Sequence, residues 1–394
     1  MAAARCCSGG LLQLGGLRRA GSQGDTAPQS QGLGYGRGAR EMKVTLRRHV
    51  RGGVLAAALV VALLALAACG NGAGNGEAGS SGAGANKGNG GGTDSQTAAA
   101  EEASGESRDL TIRIGYQKYG TINILKADGG LDKRLKDERN ITVEWIEFPG
   151  GPQLLEALNV GSLDIGHTGE APPIFAQAAG APLVYLAHEP ESPRSEGIIV
   201  PKDSNIQSVA DLKGKTVVLN KGSNVHYLLV KQLEKADVAY EDVEVKFLPP
   251  ADARAAFERG SVDAWVIWDP FLAAAETSTE GRVIADGTGV VANHEFYLAT
   301  RAFAEQHPDL VEILLEEADR IDTWSQDNTQ ELAELLSPQL GIDVASLVLA
   351  AERRTYGVTP ITEELVAAQQ SIADTFHELG LIPQAIDIRE AILK

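Results

Sequence analysis

Residues 143–187 read VEWIEFPGGPQLLEALNVGSLDIGHTGEAPPIFAQAAGAPLVYLA and alternate between two hydrophobic periodicities. Short apolar runs typical of buried strands are separated by segments whose apolar residues recur at helical spacing. The strands are predicted over residues 143–148, 163–166 and 183–187, and the helices over residues 153–159 and 172–179. Both helices begin beside proline, which is tolerated in a first helical turn. This β-α-β-α-β order indicates an α/β fold with a largely parallel sheet.

The same alternation continues on both sides. Strands are predicted over residues 112–116, 216–219, 243–248 and 264–268, and helices over residues 122–135, 225–235 and 252–258. The sequence therefore predicts an α/β protein of two lobes, each a mixed, mostly parallel sheet flanked by helices. The predicted boundaries are residues 109–200 for the first lobe, 201–295 for the second, and 296–394 for the return to the first lobe and the C-terminal helices. A ligand is expected in the cleft between the lobes, outside the carboxyl ends of the strands.

An export signal precedes the lobes. Residues 42–68 combine basic residues, an unbroken apolar run at 54–65 and small residues before Cys69, which is the pattern of a secretory signal peptide. The ending LAAC, residues 66–69, resembles the lipobox of bacterial lipoproteins. That resemblance implies cleavage before Cys69 and acylation of its sulfur. An ordinary signal peptide with a chance cysteine is the alternative.

Two further segments flank the signal. Residues 1–41 fit no targeting pattern and are interpreted as an over-long gene start, with Met42 as the first residue. A genuine cytoplasmic extension is the alternative. Residues 69–108 are mostly small or polar and cannot bury enough apolar surface to offset the entropy lost on ordering. They are predicted to tether the lobes flexibly to a lipid anchor on the outer face of the cytoplasmic membrane.

Charge and cysteine positions exclude several classes of protein. The 394 residues include 35 Lys and Arg and 53 Asp and Glu, a net charge of −18, whereas nucleic-acid binding needs clustered basic residues. The three cysteines are Cys6, Cys7 and Cys69, so the lobes hold no disulfide and no cysteine metal site. The sequence contains no nucleophile elbow, metal-spaced histidine pair or phosphate loop. We therefore expect neither an enzyme nor a bound cofactor or metal ion.

Six segments together resemble a known family. They are residues 112–118 (IRIGYQK), 147–161 (EFPGGPQLLEALNVG), 168–177 (TGEAPPIFAQ), 221–223 (KGS), 251–257 (ADARAAF) and 263–270 (DAWVIWDP). In this order and spacing they closely resemble the aliphatic sulfonate-binding component of bacterial ABC importers. The resemblance implies a type II periplasmic-binding-protein fold, a monomeric extracytoplasmic receptor, a partner permease and ATPase, and delivery of organosulfonates as a sulfur source. Taurine, nitrate or a thiamine-precursor pyrimidine are the alternative ligands on the same fold.

A sulfonate anion can be bound by basic side chains or by the free N–H groups of a helix N-terminus. The sequence favours helix N-termini, because none of the six segments contains paired basic residues. The predicted ligand residues are Thr168, Gly169 and Glu170 before one helix, and Ser223, Asn224 and His226 at the start of another. The two groups lie in different lobes, so an anion bound by both would favour closure. Simple helix capping is the alternative interpretation.

Four more residues are predicted to line the ligand site, namely Gln117, Thr121, Trp268 and Asp269. The first two place hydrogen-bonding groups directly after the first strand. Trp268 ends a strand and is expected to pack against the carbon tail of the ligand, whereas Trp265 points into the core. The carboxylates of Glu170 and Asp269 would repel a sulfonate unless they point away or bind another group, such as the cationic end of an aminosulfonate. The family more often has Asp where Glu170 stands, which leaves the pocket size open.

Overall fold

The computed structural model describes residues 110–393, which belong to one structural unit, Ala99–Lys394. The strands are β1 (Thr111–Gln117), β2 (Thr142–Phe148), β3 (Ile165–Gly169), β4 (Leu183–His188), β5 (Glu196–Val200), β6 (Thr216–Leu219), β7 (Glu244–Phe247), β8 (Ala264–Trp268), β9 (Arg282–Asp286) and β10 (Glu295–Thr300). The helices are α1 (Thr121–Asp128), α2 (Gly130–Arg139), α3 (Gly151–Asn159), α4 (Pro172–Ala178), α5 (Asn224–Lys235), α6 (Pro250–Glu258), α7 (Phe271–Thr279), α8 (Arg301–Gln306), α9 (Pro308–Asp327), α10 (Thr329–Leu340), α11 (Val344–Arg353) and α12 (Glu363–Glu378). The segments predicted as gene start (1–41), signal peptide (42–68) and tether (69–108) lie outside the described residues.

The strands form two five-stranded sheets of the same design. The first has the order β2-β1-β3-β10-β4 and the second the order β7-β6-β8-β5-β9. In each sheet the fourth strand runs antiparallel to both of its neighbours, while the first three strands are parallel. The predicted α/β fold of two lobes with mixed, mostly parallel sheets is therefore confirmed. The antiparallel strand of each sheet comes from the part of the chain that crosses between the lobes.

The lobe boundaries differ from the predicted ones. β5 was expected at the end of the first lobe, but it pairs with β8 and β9 in the second sheet. Its five residues are all buried, as a central strand requires. The second lobe therefore begins at Glu196 rather than at residue 201, and β10 begins the return at Glu295 rather than at residue 296. The chain crosses between the lobes twice, over residues 189–195 and 287–294.

A glycine divides the helix predicted over residues 122–135. Gly129 has a φ of 77°, in the left-handed region where glycine carries no steric penalty, and its N–H donates to the carbonyl of Leu125. The chain turns there, so α1 ends at Asp128 and α2 begins at Gly130. As a result α1 is a separate eight-residue helix whose N-terminus directly follows β1.

The C-terminal helices join the two lobes. α11 packs against α7 of the second lobe, where the hydroxyls of Thr277 and Ser346 lie 2.6 Å apart. α12 inserts the fully buried ring of Phe376 between the lobes, with its centroid 4.9 Å from that of Phe175 and 5.7 Å from that of Tyr227. Both lobes therefore share hydrophobic contacts with this part of the chain. Within residues 110–393, no helix has the length and apolarity needed to cross a bilayer.

Candidate functional site

A cavity of about 30 Å³, open to solvent, lies between the two sheets. The residues that line it come from both lobes: Gln117, Lys118, Tyr119, Gly120, Gly151, His167, Gly169, Pro172, Asn224, Trp268, Asp269, Glu295 and Arg354. Three of the strands, β1, β3 and β8, reach the cavity with their carboxyl ends. Three helices also begin at the cavity: α1 follows β1, α3 follows β2 and α5 follows β6. Gly120 precedes α1, Gly151 opens α3 and Asn224 opens α5.

A second, smaller chamber adjoins the cavity. It has a volume of about 20 Å³ and is lined by Ser192, Ser195 and Asn293 from the two crossover segments. The two spaces share five wall residues, Tyr119, Trp268, Asp269, Glu295 and Arg354. Helix N-termini therefore adjoin the larger space and the hydroxyl and amide groups of the crossover segments adjoin the smaller one, while Arg354, Asp269 and Glu295 line both.

Five of the ten residues predicted from the sequence as ligand residues line the cavity: Gln117, Gly169, Asn224, Trp268 and Asp269. Gln117 donates from Nε2 to the carbonyl of His167 at 3.1 Å, so its side-chain oxygen is left to accept. Asn224 donates to a carboxylate oxygen of Glu196 at 2.5 Å and to Oδ1 of Asn293 at 2.9 Å. These bonds fix the Asn224 side chain at the point where the second lobe meets the first.

The three predicted hydroxyl residues point elsewhere. Thr121 donates to Oδ1 of Asp322 at 2.5 Å, and Thr168 donates to the carbonyl of Gly169 at 3.1 Å. Ser223 donates to the carbonyl of Asn220 at 2.6 Å, and it makes no side-chain bond to the helix that it caps. All three are buried behind the cavity wall. Their hydroxyl protons are therefore directed to protein acceptors rather than into the cavity.

Glu170 and His226 are buried beside the site rather than in its wall. Burial raises the pKa of Glu170 to about 7, although its carboxylate accepts the backbone N–H of His294 at 3.1 Å. Burial lowers the pKa of His226 to about 4, and nearby Lys221 lowers it further. The neutral imidazole of His226 accepts the N–H of Gly222 at Nδ1 and lies 2.8 Å from the Tyr240 hydroxyl at Nε2. Its position is that of a packed residue.

Basic side chains do reach the cavity, contrary to the expectation from the sequence. Lys118 and Arg354 both line it. Arg354 follows α11 and is only 8% exposed; its guanidinium bonds to Glu189, and its Nε has no hydrogen-bond partner among the described residues. A Cβ on Gly120 would lie 3.6 Å from the guanidinium, an ordinary van der Waals contact, so the guanidinium packs directly against this turn. Glycine is favoured at residue 120 by its φ of 89° rather than by lack of space. The adjacent pair Arg353-Arg354 is a local signal, but it lies outside the six segments that carry the family resemblance.

A buried ionic network supports Arg354. Glu189 is almost inaccessible, yet its pKa falls to about 2, because Arg354 and His167 outweigh the effect of burial. Nε2 of His167 lies 2.8 Å from Glu189, and the Tyr297 hydroxyl donates to the same carboxylate at 3.2 Å. Burial alone would lower the pKa of Arg354, but Glu189 and Glu295 raise it above its ordinary value. The first lobe therefore presents a permanently charged and well-fixed cation to the cavity.

A family model and two curated relatives match this chain, and both relatives have the same name. Residues 137–320 match the family model described as NMT1/THI5 like. A protein of Escherichia coli (strain K12) named as an aliphatic sulfonates-binding protein is 42% identical over 76% of this chain and 92% of its own length. A Bacillus subtilis (strain 168) protein of the same name is 31% identical over 74% of this chain and 89% of its own.

A solved structure of a sulfonate-binding protein is also similar to this chain, in agreement with the two curated relatives. The alkanesulfonate-binding protein from Xanthomonas axonopodis pv. citri, bound to MOPS, is 36% identical with a TM-score of 0.69 and covers 72% of this chain and 98% of its own. The two-lobed fold described above is thus the fold of a sulfonate-binding protein over nearly the whole length of that structure. With these relatives, the chain belongs to the family of bacterial aliphatic sulfonate-binding proteins.

Proposed function

We propose that the protein binds organic sulfonate anions in the cavity between its lobes and delivers them to the permease of an ABC importer. The observation that carries the proposal is the meeting of helix N-termini from both lobes around one cavity that also contains Arg354. Relatives that this chain matches over about nine tenths of their own length and that are named as sulfonate-binding proteins support the choice of anion.

The cavity has donors suited to a tetrahedral oxyanion. A helix N-terminus offers unpaired N–H groups and about half a positive charge, which together attract an anion. α1 and α3 supply such ends from the first lobe and α5 from the second. Arg354 adds planar N–H donors from a guanidinium that lines the cavity. The three sulfonate oxygens can therefore be bound from more than one direction at once.

Ligand binding is coupled to closure because the lobes meet at the same place. Gly150 and Gly169 of the first lobe lie against Asn220 and Asn224 of the second, so closely that a Cβ on either glycine would contact those side chains. An anion bonded to both lobes stabilises only the arrangement in which they are together. A permease can then distinguish the loaded receptor from the empty one by its shape.

Calorimetric titration of the purified protein tests the proposal. Alkanesulfonates should bind with one-to-one stoichiometry and more tightly than sulfate, nitrate or a pyrimidine. Gln117→Glu introduces a negative charge into the cavity wall at constant size and should weaken sulfonate binding at least about tenfold. Gln339→Glu makes the same change on the exposed surface of α10 and serves as the control. Equal or tighter binding of nitrate or sulfate would count against sulfonate as the ligand.

Export and lipid anchoring complete the proposal. The export signal at residues 42–68 and the lipobox ending at Cys69 support an extracytoplasmic, membrane-anchored receptor. A solved Escherichia coli relative, 42% identical and described as a periplasmic aliphatic sulphonate binding protein, supports the extracytoplasmic part. Cys69→Ser should move the protein from the membrane fraction to the soluble fraction and abolish palmitate labelling. Cys7→Ser should change neither, since residue 7 precedes the predicted cleavage point. A labelled Cys69→Ser variant would exclude acylation at this residue.

The receptor is proposed to act as a monomer and to supply sulfur. Deleting it should abolish growth on an alkanesulfonate as the only sulfur source, and growth on sulfate should persist. Light scattering with and without ligand should give the mass of one chain. Growth of the deletion strain on the sulfonate at the normal rate would show that another receptor serves the importer.

A further inference from the structure

Two buried carboxylates that the proposed anion site does not use lie where the lobes meet, and this further inference rests on the proposed function. Glu170 lies between β3 and α4 in the first lobe and is 2% exposed, and Glu196 begins β5 in the second lobe and is 0% exposed. Neither residue lines the cavity or the smaller chamber. Glu196 directly follows the first crossover segment, so a movement of the lobes would change its surroundings.

A chain of hydrogen bonds joins the two carboxylates across the lobes. Oε2 of Glu170 accepts the backbone N–H of His294 at 3.1 Å, and the backbone N–H of Asn293 also bonds to this carboxylate. Oδ1 of Asn293 accepts from Nδ2 of Asn224 at 2.9 Å. The same Nδ2 donates to Oε2 of Glu196 at 2.5 Å. The two carboxylates are therefore linked through the second crossover segment and through the residue that opens α5.

One oxygen of each carboxylate has no donor. Oε1 of Glu170 and Oε1 of Glu196 are both buried and have no hydrogen-bond partner among the described residues. Burying an ionised carboxylate without a cation or a full set of donors is unfavourable, and the uptake of a proton removes its charge. Burial accordingly raises the pKa of Glu170 to about 7. Burial, together with the charge of Glu170, raises the pKa of Glu196 well above its ordinary value.

The groups around this pair do not neutralise it. Within residues 110–393, no lysine or arginine forms an ion pair with either carboxylate. The titratable residues on the surrounding elements are Glu295 of β10, Asp286 of β9, Asp269 after β8, Tyr227 of α5 and His294 of the second crossover segment. The imidazole of His294 lies with Nδ1 2.9 Å from the carbonyl oxygen of Glu189, and α12 contributes only the neutral amide of Gln369, which donates to the backbone carbonyl of Glu170. A proton is therefore the simplest source of compensation for the buried charges.

We propose that Glu170 and Glu196 couple closure of the lobes to the uptake of a proton from solvent. When the lobes separate, Asn224 leaves Gly169, water reaches the pair and both carboxylates ionise. When the lobes close around a sulfonate, the pair is dry again and a proton removes the repulsion between its members. The protein therefore binds sulfonate most tightly at acidic pH and releases it more readily as the pH rises.

The direction of the effect follows from proton linkage. A carboxyl group whose pKa is higher in the closed state contributes its full affinity below its open-state pKa and loses it as the pH rises through its closed-state pKa. For Glu170, with a pKa of about 7 when buried and 4.5 in water, sulfonate affinity should fall at least about tenfold between about pH 6 and about pH 8. An alkanesulfonate stays ionised throughout this range, so the ligand itself adds no pH dependence.

Calorimetric titration of the purified protein with propane-1-sulfonate at these two pH values tests the inference. The unaltered protein should bind at least about tenfold more weakly at the higher pH. Its binding enthalpies in phosphate and in Tris should differ, because the proton comes from the buffer. Glu170→Gln and Glu196→Gln keep the side-chain length and an accepting oxygen but cannot ionise. Each should lose part of the pH dependence, and the double variant should bind equally at both pH values.

Asp269→Asn is the matched control, because Asp269 lies in the cavity wall and burial raises its pKa to about 7 as well. Its ratio of affinities at the two pH values should equal that of the unaltered protein. Thermal unfolding shows which variants are folded, and any folded member of the Glu170 and Glu196 set gives a result. Equal affinity of the unaltered protein at both pH values, or the full pH dependence in a folded Glu170→Gln, Glu196→Gln or double variant, would overturn the inference and leave the proposed function standing. Failure of the sulfonate to bind at either pH would instead contradict the proposed function.

Discussion

Replacing Gly169 by alanine should weaken sulfonate binding without weakening the ligand-free fold. Gly169 ends β3 in the first lobe and faces Asn224, which opens α5 in the second. A Cβ at residue 169 would lie 3.0 Å from both Cγ and Oδ1 of Asn224 and 3.1 Å from its Cβ. The backbone of Gly169 does not have a positive φ, so alanine adds no backbone strain there. The steric cost of the added methyl group therefore arises only at the contact between the lobes.

The size of the effect follows from how firmly Asn224 is fixed. Its amide donates to Glu196 at 2.5 Å and to Asn293 at 2.9 Å, so it cannot move aside without lengthening these bonds. Overpacking at such a contact costs about 1–3 kcal/mol. If the lobes separate when no ligand is bound, this cost falls on the closed, ligand-bound state alone. The dissociation constant should then rise by roughly 5- to 150-fold.

Titration calorimetry measures the change in affinity, and thermal unfolding measures the stability of the ligand-free protein. The ligand-free melting temperature of Gly169→Ala should equal that of the unaltered protein, while its affinity falls. A double-mutant cycle supplies the control, because Asn224→Ala removes the side chain that the new methyl group meets. In that background, Gly169→Ala should cost little further affinity. Normal affinity in the single variant, or an equal loss in both backgrounds, would refute the role of this contact in closure.

Three further substitutions test other parts of the structure. Trp268→Ala should weaken long-chain sulfonates more than short ones, by about 0.8 kcal/mol for each methylene buried against the ring, and a titration series with parallel losses would contradict this. Burial raises the pKa of Glu170 from 4.5 to about 7, so between these values the folded protein binds more protons than the unfolded chain and its stability falls as pH rises. Glu170→Gln should remove that part of the pH dependence of denaturant unfolding, and an unchanged slope would show that Glu170 does not titrate in this way. Phe376→Ala should lower the free energy of unfolding by about 3–5 kcal/mol, because the ring is fully buried between the lobes; a loss below about 1 kcal/mol would mean that the surrounding residues close the space.

The sequence predicted the elements of the fold well because their signals are local. The predicted strands at 143–148 and 183–187 nearly coincide with β2 and β4, where apolar runs are bounded by proline and glycine. The helices α3 and α4 begin beside their prolines as expected. Gly129 could have been identified as a helix end, because a glycine pair interrupts the pattern at residues 129–130.

The pairing of β5 could not be predicted in the same way. Its apolar run identifies a buried strand, but not which sheet it joins. That choice depends on partners 65 or more residues further along the chain, since Glu196 is in register with Trp268 and Ile199 with Trp265. A local pattern contains no information about such long-range pairing. The predicted boundary at residue 200 therefore assigned a central strand of the second sheet to the first lobe.

Four of the five predicted residues that line the cavity adjoin strand ends, and the fifth, Asn224, opens α5. Gln117, Gly169 and Trp268 end β1, β3 and β8, and sheet geometry brings such positions together. Arg354 has no such relation to the sheet, and its position follows from the packing of α11 against α7 and from its bond to Glu189, 165 residues away. The hydroxyls of Thr121 and Ser223 were assigned to the ligand because the sequence does not reveal their protein acceptors.

The division of the site between the lobes explains why neither lobe is expected to bind the anion alone. An exposed helix N-terminus stabilises a charge by only about 0.3–1 kcal/mol, and water competes for its N–H groups. Arg354 cannot dominate from the first lobe, because Glu189 already bonds to it and offsets its charge. Closure excludes water and adds the α5 N-terminus with Asn224, so that several weak contacts act on the same oxygens in a less polar medium. Binding strength in this protein is therefore a property of the closed state, and residues that control how closely the lobes meet, such as Gly169, govern affinity as directly as those that touch the ligand.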